Sequence, residues 1–366
     1  MNRSILIQEH EEHGARLLPD PERPSVLTYG DVPAEYRAAS GGCGLFDETD
    51  RGLVRVRGGE RQAFLHRLLA NEVRGLEPGQ GNRNLLLSSK GKVLHDFDLQ
   101  VDDEELRLST PPGTPAALLE ALDMYHFTED VALEDATEEH APLAVCGPRT
   151  AAVLGGVLGA APELPDHAWT TLDFRGAAVR ISALPVSGSP GYRLEPAPGA
   201  ALELWRALRE AGAEPVGLVA RDSLRCEAGA ALYGVDVTDA VYPQEARLES
   251  AFHLEKGCYI GQEVVAKIDT YGGLNKRLVA LRVSHDDPVP AGTELEREDG
   301  GEWRKLGLVT SWAYSFALDG GLVLAYVKRR HQKPGTVFRL GGGPGEATIV
   351  PLPVREGAVP VTGEFE

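Results

Sequence analysis

The spacing of apolar residues changes from helical to strand-like early in the chain. Within residues 59–73, apolar side chains recur at intervals that predict an amphipathic helix carrying Phe64, Leu65, Leu68 and Leu69. In the next segment, apolar and polar residues alternate, which predicts a half-buried strand through Val93, Phe97, Leu99 and Val101. Helices and strands are therefore mixed in this part of the chain, as in α+β folds.

Two more amphipathic helices and two short strands extend this mixture. Thr114-Pro115 predicts a helix start, with threonine as the N-cap and proline at the first helical position, followed by a face of Leu118, Leu119 and Leu122. A later helix is predicted to bury Leu202, Trp205 and Leu208. Apolar pieces bounded by glycine and proline predict strands at residues 143–146 and 179–181.

The two ends of the chain differ from this middle part. After residue 278 only short strands and turns remain, which predicts a small all-β barrel with strands at 278–283, 306–312, 322–327, 337–340 and 347–350. Residues 1–40 are polar and interrupted by prolines, which predicts an irregular lead-in containing Pro19, Pro21, Pro24 and Pro33. We therefore expect a lead-in at 1–40, an α+β core at 41–277 and a barrel at 278–366.

Composition and charge narrow the classes of function. The chain is 42% hydrophobic and carries a net charge of -18, which argues against direct nucleic-acid binding because phosphate backbones are held mainly by clustered Lys and Arg. A small basic pocket inside an acidic surface remains compatible with that charge. No segment approaches the roughly 20 apolar residues that span a bilayer, and the first residues are polar. We expect a soluble, cytoplasmic protein without membrane contact.

Cysteine and histidine spacing gives no recognisable metal motif. The four cysteines are far apart and include no C-x-x-C pair: Cys43, Cys146, Cys226 and Cys258. Neither a zinc knuckle nor a self-contained iron–sulfur site is predicted, and the thiols are expected to be reduced. His10 and His13 lie in a Glu-rich segment and are expected to be solvated rather than to bind a metal.

One cysteine lies in a setting that favours reactivity. Cys258 occurs in Lys256-Gly257-Cys258-Tyr259-Ile260-Gly261-Gln262-Glu263, just before an apolar stretch that predicts a helix. A nearby cation and free N–H groups at a helix N-terminus stabilise a thiolate. The alternative is that Cys258 is a small buried hydrophobe in a turn. The spacing alone leaves both interpretations open.

This octapeptide resembles the signature of the folate-binding YgfZ family, relatives of the glycine-cleavage T-protein (aminomethyltransferase). Further blocks of the resemblance follow in order along most of the chain: Gly44-Leu45-Phe46-Asp47, Phe64-Leu65, Asn71-Glu72-Val73, Lys90-Gly91-Lys92-Val93, residues 220–229 and residues 307–311. The resemblance implies an α+β fold in which two α+β parts enclose a folate pocket, followed by a C-terminal β-barrel.

The resemblance also implies a function. A YgfZ-type protein binds tetrahydrofolate and supports iron–sulfur cluster assembly or repair, with effects on cluster enzymes such as tRNA-modifying ones. Its partners would be folate and iron–sulfur enzymes or cluster-assembly proteins. One alternative is a true aminomethyltransferase, which moves a methylene from a lipoyl-bound aminomethyl group to tetrahydrofolate. A noncatalytic folate sensor or scaffold is a third class.

Glu227 occupies the position of the T-protein glutamate that binds the pteridine, within Arg225-Cys226-Glu227-Ala228-Gly229. One carboxylate can accept parallel hydrogen bonds from the ring N–H and the adjacent amino group of folate. From the residue alone, Glu227 could equally be a helix-end glutamate paired with Arg221 or Arg225. The neighbouring Cys226 is expected to lie in the core.

Asp96 matches the second aspartate of the T-protein pattern Gly-Gly-x-x-Asp-Asp, which acts near the folate nitrogen that receives the one-carbon unit. His95 stands in place of the first aspartate and Lys92 in place of the second glycine, so the sequence departs from the transferase pattern. An aspartate on an alternating strand could instead point to solvent, as we expect for Asp98.

Residues around Cys258 complete the predicted site. Tyr259 and Gln262 could supply an aromatic wall and an amide for a flat heterocycle, or could fix the loop. Lys256 could hold folate's glutamate tail or lower the pKa of the thiol. The predicted site has two catalytic candidates, Cys258 and Asp96, and four tetrahydrofolate-binding candidates, Glu227, Lys256, Tyr259 and Gln262.

Overall fold

The structure is a computed structural model of the 366-residue chain and describes residues 5–19 and 25–359. The described helices are α1 (Ile7–Glu12), α2 (Val32–Gly41), α3 (Arg61–Leu68), α4 (Pro115–Asp123), α5 (Thr150–Leu158), α6 (Pro198–Glu210), α7 (Leu218–Ala228) and α8 (Gln262–Tyr271). None of them is long and apolar enough to cross a membrane.

The described strands follow the chain from the N-terminal segment to the barrel. They are β1 (Arg16–Leu17), β2 (Val26–Thr28), β3 (Gly44–Asp47), β4 (Gly52–Arg57), β5 (Gly81–Leu87), β6 (Val93–Val101), β7 (Glu105–Thr110), β8 (Ala132–Asp135), β9 (Leu143–Cys146), β10 (Trp169–Phe174), β11 (Ala177–Val186), β12 (Ser189–Pro196), β13 (Glu214–Pro215), β14 (Lys276–Val283), β15 (Glu294–Asp299), β16 (Glu302–Ser315), β17 (Gly320–Lys328), β18 (Val337–Leu340) and β19 (Glu346–Val350).

These strands form sheets of different kinds. β1 and β2 pair with each other, β10-β11-β12-β9-β3-β13 form a six-stranded sheet, and β5-β6-β7-β4-β8 form a five-stranded sheet. The remaining strands close into a barrel in the order β14-β17-β16-β15-β18-β19. The predicted α+β class with a C-terminal β-barrel is therefore confirmed.

The chain forms two compact units, here described as far as the structure places their residues. The first contains Met1–Leu86, His95–Arg221 and Lys256–Tyr259, and the second contains Leu87–Leu94, Asp222–Glu255 and Ile260–Glu366. The six-stranded sheet belongs to the first unit and the barrel to the second. The division of the chain at residues 277 and 278 stays a prediction.

The apolar pattern located most of these elements. The alternating segment is β6, in which Val93, Phe97, Leu99 and Val101 are all buried. On α6, Trp205 and Leu208 are buried in a core that also contains Ile181 of β11 and Val145 of β9. The helix predicted within residues 59–73 is α3, which is shorter than its apolar pattern because Leu69 already has an extended backbone.

The barrel contains one strand that the pattern missed. β15 consists mainly of charged residues, so no apolar alternation marks it. Its Leu295 is fully buried in the barrel core, while its backbone pairs with β16 on one side and β18 on the other. Closure of the barrel, rather than local β-propensity, therefore determines this strand.

Residues 1–40 are more regular than their prolines predict, and the expectation of an irregular lead-in is wrong for the residues described. Pro33 lies in the first turn of α2, where a proline is tolerated, and Asp31 caps that helix by accepting a hydrogen bond from Ala34 N at 3.0 Å. Leu6 is fully buried in the core beside Trp205. Pro21 and Pro24 lie outside the described residues.

Two polar side chains have different partners from those expected. His10 is buried rather than solvated, with Nε2 2.8 Å from Asp47 Oδ2 and Nδ1 2.9 Å from the Tyr29 hydroxyl. Thr114 precedes α4, but its hydroxyl donates backwards to Pro111 O at 2.8 Å instead of capping the helix. The hydrogen bonds of both side chains are polar contacts, which the spacing of apolar residues cannot predict.

A buried ionic network connects the two larger sheets of the first unit. Arg193 on β12 donates from Nε to Glu48 Oε2 at 2.9 Å and from Nη1 to Asp98 Oδ2 on β6 at 2.8 Å. Arg51 lies 3.4 Å from the same Asp98 oxygen. The expectation that Asp98 points to solvent is wrong, because both faces of β6 are covered. Nearby arginines hold the pKa values of Glu48 and Asp98 below their ordinary range, against the effect of burial.

A second buried pair lies beside this network. Arg107 donates to Glu195 Oε2 at 2.9 Å, and His140 Nδ1 lies 3.6 Å from that oxygen. Burial lowers the pKa of His140 to about 3, so the imidazole is neutral in the folded protein. Burial acts to raise the pKa of Glu195, but His140 and the surrounding arginines outweigh it and lower that pKa to about 2. Both groups thus resist protonation in the folded state.

We predict that the free energy of unfolding falls as the pH is lowered. The unfolded chain protonates His140 below pH 6.5 and Glu195 below pH 4.5, whereas the folded chain does so only near pH 3 and pH 2. Each such group removes up to about 1.4 kcal/mol per pH unit in its window. Urea unfolding followed by circular dichroism at pH 7, 5.5 and 4.5 measures the effect.

Asp50 supplies the control for this measurement. Burial raises the pKa of Asp50 to about 6 in the folded protein, whereas the unfolded chain protonates Asp50 only near pH 3.8. Between pH 6 and 3.8, protonation of Asp50 therefore stabilises the folded state and opposes the predicted fall in the free energy of unfolding. Asp50→Asn should therefore make the loss of stability on acidification steeper. A free energy of unfolding that stays constant from pH 7 to 4.5 in both proteins would contradict the prediction.

Candidate functional site

The octapeptide forms an extended loop that leads into α8. The helix begins at Gln262, so Cys258 lies four residues before it, as the sequence predicted for a cysteine ahead of a helix. Cys258 is exposed, whereas Cys43, Cys146 and Cys226 are buried. The alternative in which Cys258 is a buried hydrophobe is therefore excluded. Burial raises the pKa of Cys226 to about 12, which agrees with its expected place in the core.

The two glycines of the octapeptide differ in how closely they pack against other residues. Both adopt a positive φ, +104° at Gly257 and +80° at Gly261, a conformation that L side chains rarely adopt. A Cβ at Gly257 would meet no neighbour, but one at Gly261 would lie 2.5 Å from Ser88 O and 2.9 Å from Gly91 Cα. Gly261 thus allows close packing against the turn after β5, and this part of the motif serves structure.

Gln262 also fixes the loop. Its side-chain amide donates to Leu254 O at 3.3 Å, across the segment that contains Cys258. Of the two roles that the sequence left open for Gln262, the structure shows the anchoring contact. Its role as a folate ligand stays a prediction.

Lys256 lies in a partly buried environment within the first unit. Its Nζ donates to His66 O, and His66 Nε2 lies 2.9 Å from Lys256 O, so the two residues are joined in both directions. Burial lowers the pKa of Lys256 to about 8, with Arg74 acting in the same direction and Glu72 against it. Near neutral pH a measurable fraction of this amine is therefore uncharged, which makes Lys256 a usable proton acceptor.

Tyr259 is 7% exposed and lies beside Lys256, whose Nζ is 5.2 Å from the ring centroid. Its buried hydroxyl has no hydrogen-bond partner among the described residues. Burial raises the pKa of this phenol to about 12. A buried hydroxyl without a partner is unusual, because such groups are nearly always satisfied. Tyr259 therefore offers both a ring face and an unused donor.

Asp96 is buried on β6 and does not point to solvent. Arg83 on the neighbouring strand β5 donates to both of its oxygens, from Nε to Oδ1 at 2.8 Å and from Nη2 to Oδ2. This bidentate pair holds the carboxylate in one orientation. Desolvation acts to lower the pKa of Arg83, but the charge of Asp96 outweighs it and raises that pKa above its ordinary range.

His95 and Lys92, which depart from the T-protein pattern, have different surroundings in the structure. His95 is adjacent to Asp96 on β6, so their side chains point to opposite faces of the sheet, and burial lowers the pKa of His95. Lys92 donates to Ala240 O at 3.0 Å and lies 3.2 Å from the centre of the Tyr242 ring. Lys92 is thus used for packing within the second unit.

Glu227 is fully buried near the end of α7 in the second unit. Its Oε1 accepts hydrogen bonds from Ser315 Oγ at 2.8 Å and from Ala317 N at 3.0 Å, and its Oε2 lies 3.8 Å from Arg355 Nε. These donors belong to β16, the turn after it and the C-terminal segment. The carboxylate is therefore well placed by protein donors, and pteridine binding by Glu227 stays a prediction.

Sequence reasoning missed Arg83 and His66, which position Asp96 and Lys256. A signal existed for Arg83, because the glycine-containing turn between β5 and β6 predicts neighbouring strands that bring positions 83 and 96 close. No local signal existed for His66, which is 190 residues from Lys256. No group of three or more His, Cys, Asp or Glu side chains within the described residues is arranged to hold a metal.

Comparison with known proteins identifies the family. The GCVT N-terminal domain matches residues 6–256, and the glycine cleavage T-protein C-terminal barrel domain matches residues 276–354. The chain belongs to the glycine cleavage T-protein family. Both halves of the predicted architecture, the folate-type core and the barrel, thus correspond to described domains of one family.

Three similar proteins named aminomethyltransferase match nearly the whole chain. The chain is 31% identical to an aminomethyltransferase of Chlorobium luteolum, over 96% of this chain and 98% of that protein. It is 32% identical to an aminomethyltransferase of Thermus thermophilus, over 96% and 99%. The crystal structure of glycine cleavage system aminomethyltransferase T from Bartonella henselae superposes with a TM-score of 0.86 at 27% identity and covers 97% of this chain and 98% of that one.

These relatives support the aminomethyltransferase hypothesis more than the YgfZ hypothesis. The T-protein superfamily is confirmed, and the relatives are named for the activity that the sequence analysis kept as its alternative. The narrower assignment to the YgfZ group rests on the octapeptide and remains a hypothesis. The same holds for the expected link to iron–sulfur clusters and tRNA modification.

We predict that only one of the four thiols reacts in the native T-protein homologue. Cys258 is exposed and the other three are buried, so brief treatment with iodoacetamide should label one cysteine per chain, located by peptide mass spectrometry at Cys258. Labelling in denaturant should reach all four. Cys258→Ser is the control and should show no fast labelling. Rapid native labelling of Cys226 would contradict the burial described here.

Proposed function

We propose that the protein is a tetrahydrofolate-dependent aminomethyltransferase. The observation that carries this proposal is full-length similarity to aminomethyltransferases, which extends through both the core and the barrel. In the proposed reaction, the methylene of a lipoyl-bound aminomethyl group loses its bonds to sulfur and nitrogen. It gains two bonds to folate nitrogens. The two folate N–H protons leave with the thiol and with ammonia, so the atoms balance.

Asp96 is the proposed residue at the reacting nitrogen. A buried carboxylate that arginine holds in one orientation can accept a hydrogen bond from an amine and favour the positive charge that develops there. Arg83 donates to both oxygens of Asp96 and so fixes the orientation of the carboxylate, which this role needs. The substitution of the preceding aspartate by His95 affects the other face of β6, so it leaves this role of Asp96 intact.

The remaining residues are proposed to bind the folate. Glu227 would recognise the pteridine ring, and Tyr259 would pack against a flat ring and use its hydroxyl as a donor. Lys256 would bind a carboxylate of the glutamate tail. Loss of the proton from Lys256, whose pKa is about 8, would weaken that contact above pH 8. The cofactor is tetrahydrofolate or a one-carbon derivative of it.

We predict that the protein releases ammonia from aminomethyl-loaded lipoyl carrier protein when tetrahydrofolate is added. Asp96→Asn should lower the rate by about 100-fold, since it removes the charge at the developing cation. The matched control is Asp103→Asn, an identical change at an exposed aspartate in the turn after β6. Ammonia and methylene-tetrahydrofolate are quantified together in single-turnover assays.

The outcomes separate catalysis from binding. Glu227→Gln should weaken tetrahydrofolate binding by about tenfold, because it changes one acceptor oxygen to a donor. Asp96→Asn should leave binding within about twofold. Absence of ammonia release by the unmodified protein would overturn the transferase proposal. Equal rates for Asp96→Asn and Asp103→Asn would remove Asp96 from the reaction.

A second candidate function is support of iron–sulfur cluster maintenance, and the exposed Cys258 favours it. The proposed transferase reaction does not use the Cys258 thiol, which lies two residues from Lys256, a lysine with a lowered pKa. A solvent-accessible thiol is suited to nucleophilic or metal-directed chemistry. Cluster proteins or cluster-assembly proteins would then be its partners.

We predict that, under this second function, the protein restores cluster-enzyme activity in a host that lacks its own YgfZ-type protein, and Cys258→Ser does not. Cys226→Ser is unsuitable as a control because Cys226 is buried, so the control is Ser89→Ala, a change at an exposed serine in the turn after β5, at equal expression. Equal rescue by the Cys258→Ser variant would make the thiol dispensable. Absence of rescue by the parent protein would leave the transferase as the function.

A further inference from the structure

A large basic cavity lies within the second unit, between the end of α8 and the barrel. Its volume is about 1390 Å³. Seven of its lining residues are Lys or Arg and two are Asp or Glu, in a chain whose net charge is -18. The positive lining residues include Arg247, Arg277, Arg304, Lys328 and Arg330. Positive charge is thus concentrated in one concave place on an acidic protein.

Arg247 shows how unfavourable this concentration is for the protein alone. Its side chain is largely buried, and its Nε donates to Leu278 O at 2.8 Å. Burial lowers the pKa of Arg247 to about 10, and the neighbouring charge of Arg277 acts in the same direction. Glu249 acts in the opposite direction, but it also accepts a hydrogen bond from Arg277. Glu249 therefore interacts with both Arg247 and Arg277.

The backbone at Arg247 adds a second unfavourable feature. Its φ is +60°, a left-handed conformation that residues with a side chain rarely adopt. Strained conformations of this kind persist where the surroundings enforce them and are concentrated at ligand-binding places. Here the strained residue is also the buried cation of the cavity. Burial, like charge and backbone strain thus coincide at one side chain.

The opposite side of the cavity supplies exposed cations. Lys328 ends β17, and a short 3₁₀ turn then places Arg329 and Arg330. Arg329 donates to Gly272 O, which connects this turn to the residue that ends α8. Arg304 comes from β16. Cations from three different elements therefore converge on one cavity instead of following a single charged helix face.

We propose that this cavity binds a small polyanion that carries several phosphate or carboxylate groups. Guanidinium groups bind both kinds of oxyanion through two parallel hydrogen bonds, and such an anion would offset the like charges around Arg247. None of the described lining residues is Phe, Tyr or Trp, so these residues offer charge rather than an aromatic stacking surface. Recognition would rest on charge, whether the oxyanion groups come from an oligophosphate or from a polycarboxylate chain.

The test uses the full chain and two probes, tripolyphosphate and tetra-γ-glutamate, in isothermal titration calorimetry at low and high ionic strength. Arg247→Gly removes the buried guanidinium, and glycine accepts the φ of +60°, so the fold should be retained. Arg330→Glu reverses an exposed charge in the cavity. Each variant should weaken binding of the preferred probe by about tenfold or more. High salt should weaken it further.

The matched control is Arg282→Glu, which makes the same charge change at an exposed arginine of the same barrel, outside the cavity lining and paired across strands with Leu322 and Thr348. It should change binding by less than about twofold, as expected for a distant, screened charge. Binding of tripolyphosphate alone identifies a phosphate ligand, and binding of tetra-γ-glutamate alone identifies a carboxylate ligand. Absence of binding of both probes, or equal binding by all three variants, would overturn the proposal. Aminomethyl transfer plays no part in this test.

Discussion

The first unit depends on the charge network around Arg193. A guanidinium that is bound on one side by Glu48 and on the other by Asp98 connects the six-stranded sheet to β6 of the five-stranded sheet. Removing one member would leave an uncompensated charge in the interior, which typically destabilises a protein by about 3–5 kcal/mol. The network therefore defines how these two sheets pack. It lies beside the buried Glu195–His140 pair, whose shifted pKa values underlie the predicted fall in stability at low pH.

That packing determines the environment of Asp96. Asp96 and Asp98 are two residues apart, so they lie on the same face of β6 but at different positions along the strand. Asp98 enters the network, whereas Asp96 is held by Arg83 from β5. Two aspartates two residues apart thus obtain separate arginine partners. The same strand supplies the structural carboxylate of Asp98 and the carboxylate of Asp96, which is proposed to act at the folate nitrogen.

The octapeptide combines structural and chemical residues in one short segment. Gly261 and Gln262 fix the loop and the start of α8, through close backbone packing and a hydrogen bond to Leu254 O. Lys256, Cys258 and Tyr259 then remain for chemistry, as an amine of lowered pKa, an exposed thiol and a buried phenol without a partner. The whole motif therefore identifies this loop more specifically than the cysteine alone, because Gly261 and Gln262 fix the conformation of the backbone around it.

The sequence by itself determined the elements whose apolar pattern is local. It located β6, α3, α6 and most barrel strands, and it identified Cys258 before a helix, because hydrophobic spacing and turn residues act over a few positions. It missed β15 and the ordered N-terminal segment, where closure of the barrel and burial of Leu6 outweigh local composition.

Only the tertiary structure decided which polar side chains are buried and with whom they pair. Arg193 and Glu48 are 145 residues apart, and His66 and Lys256 are 190 residues apart. The basic cavity likewise collects cations from separate elements. Ionic and hydrogen-bond partners are the polar groups that the fold brings close together. A buried charge is stable only where such a partner lies within reach.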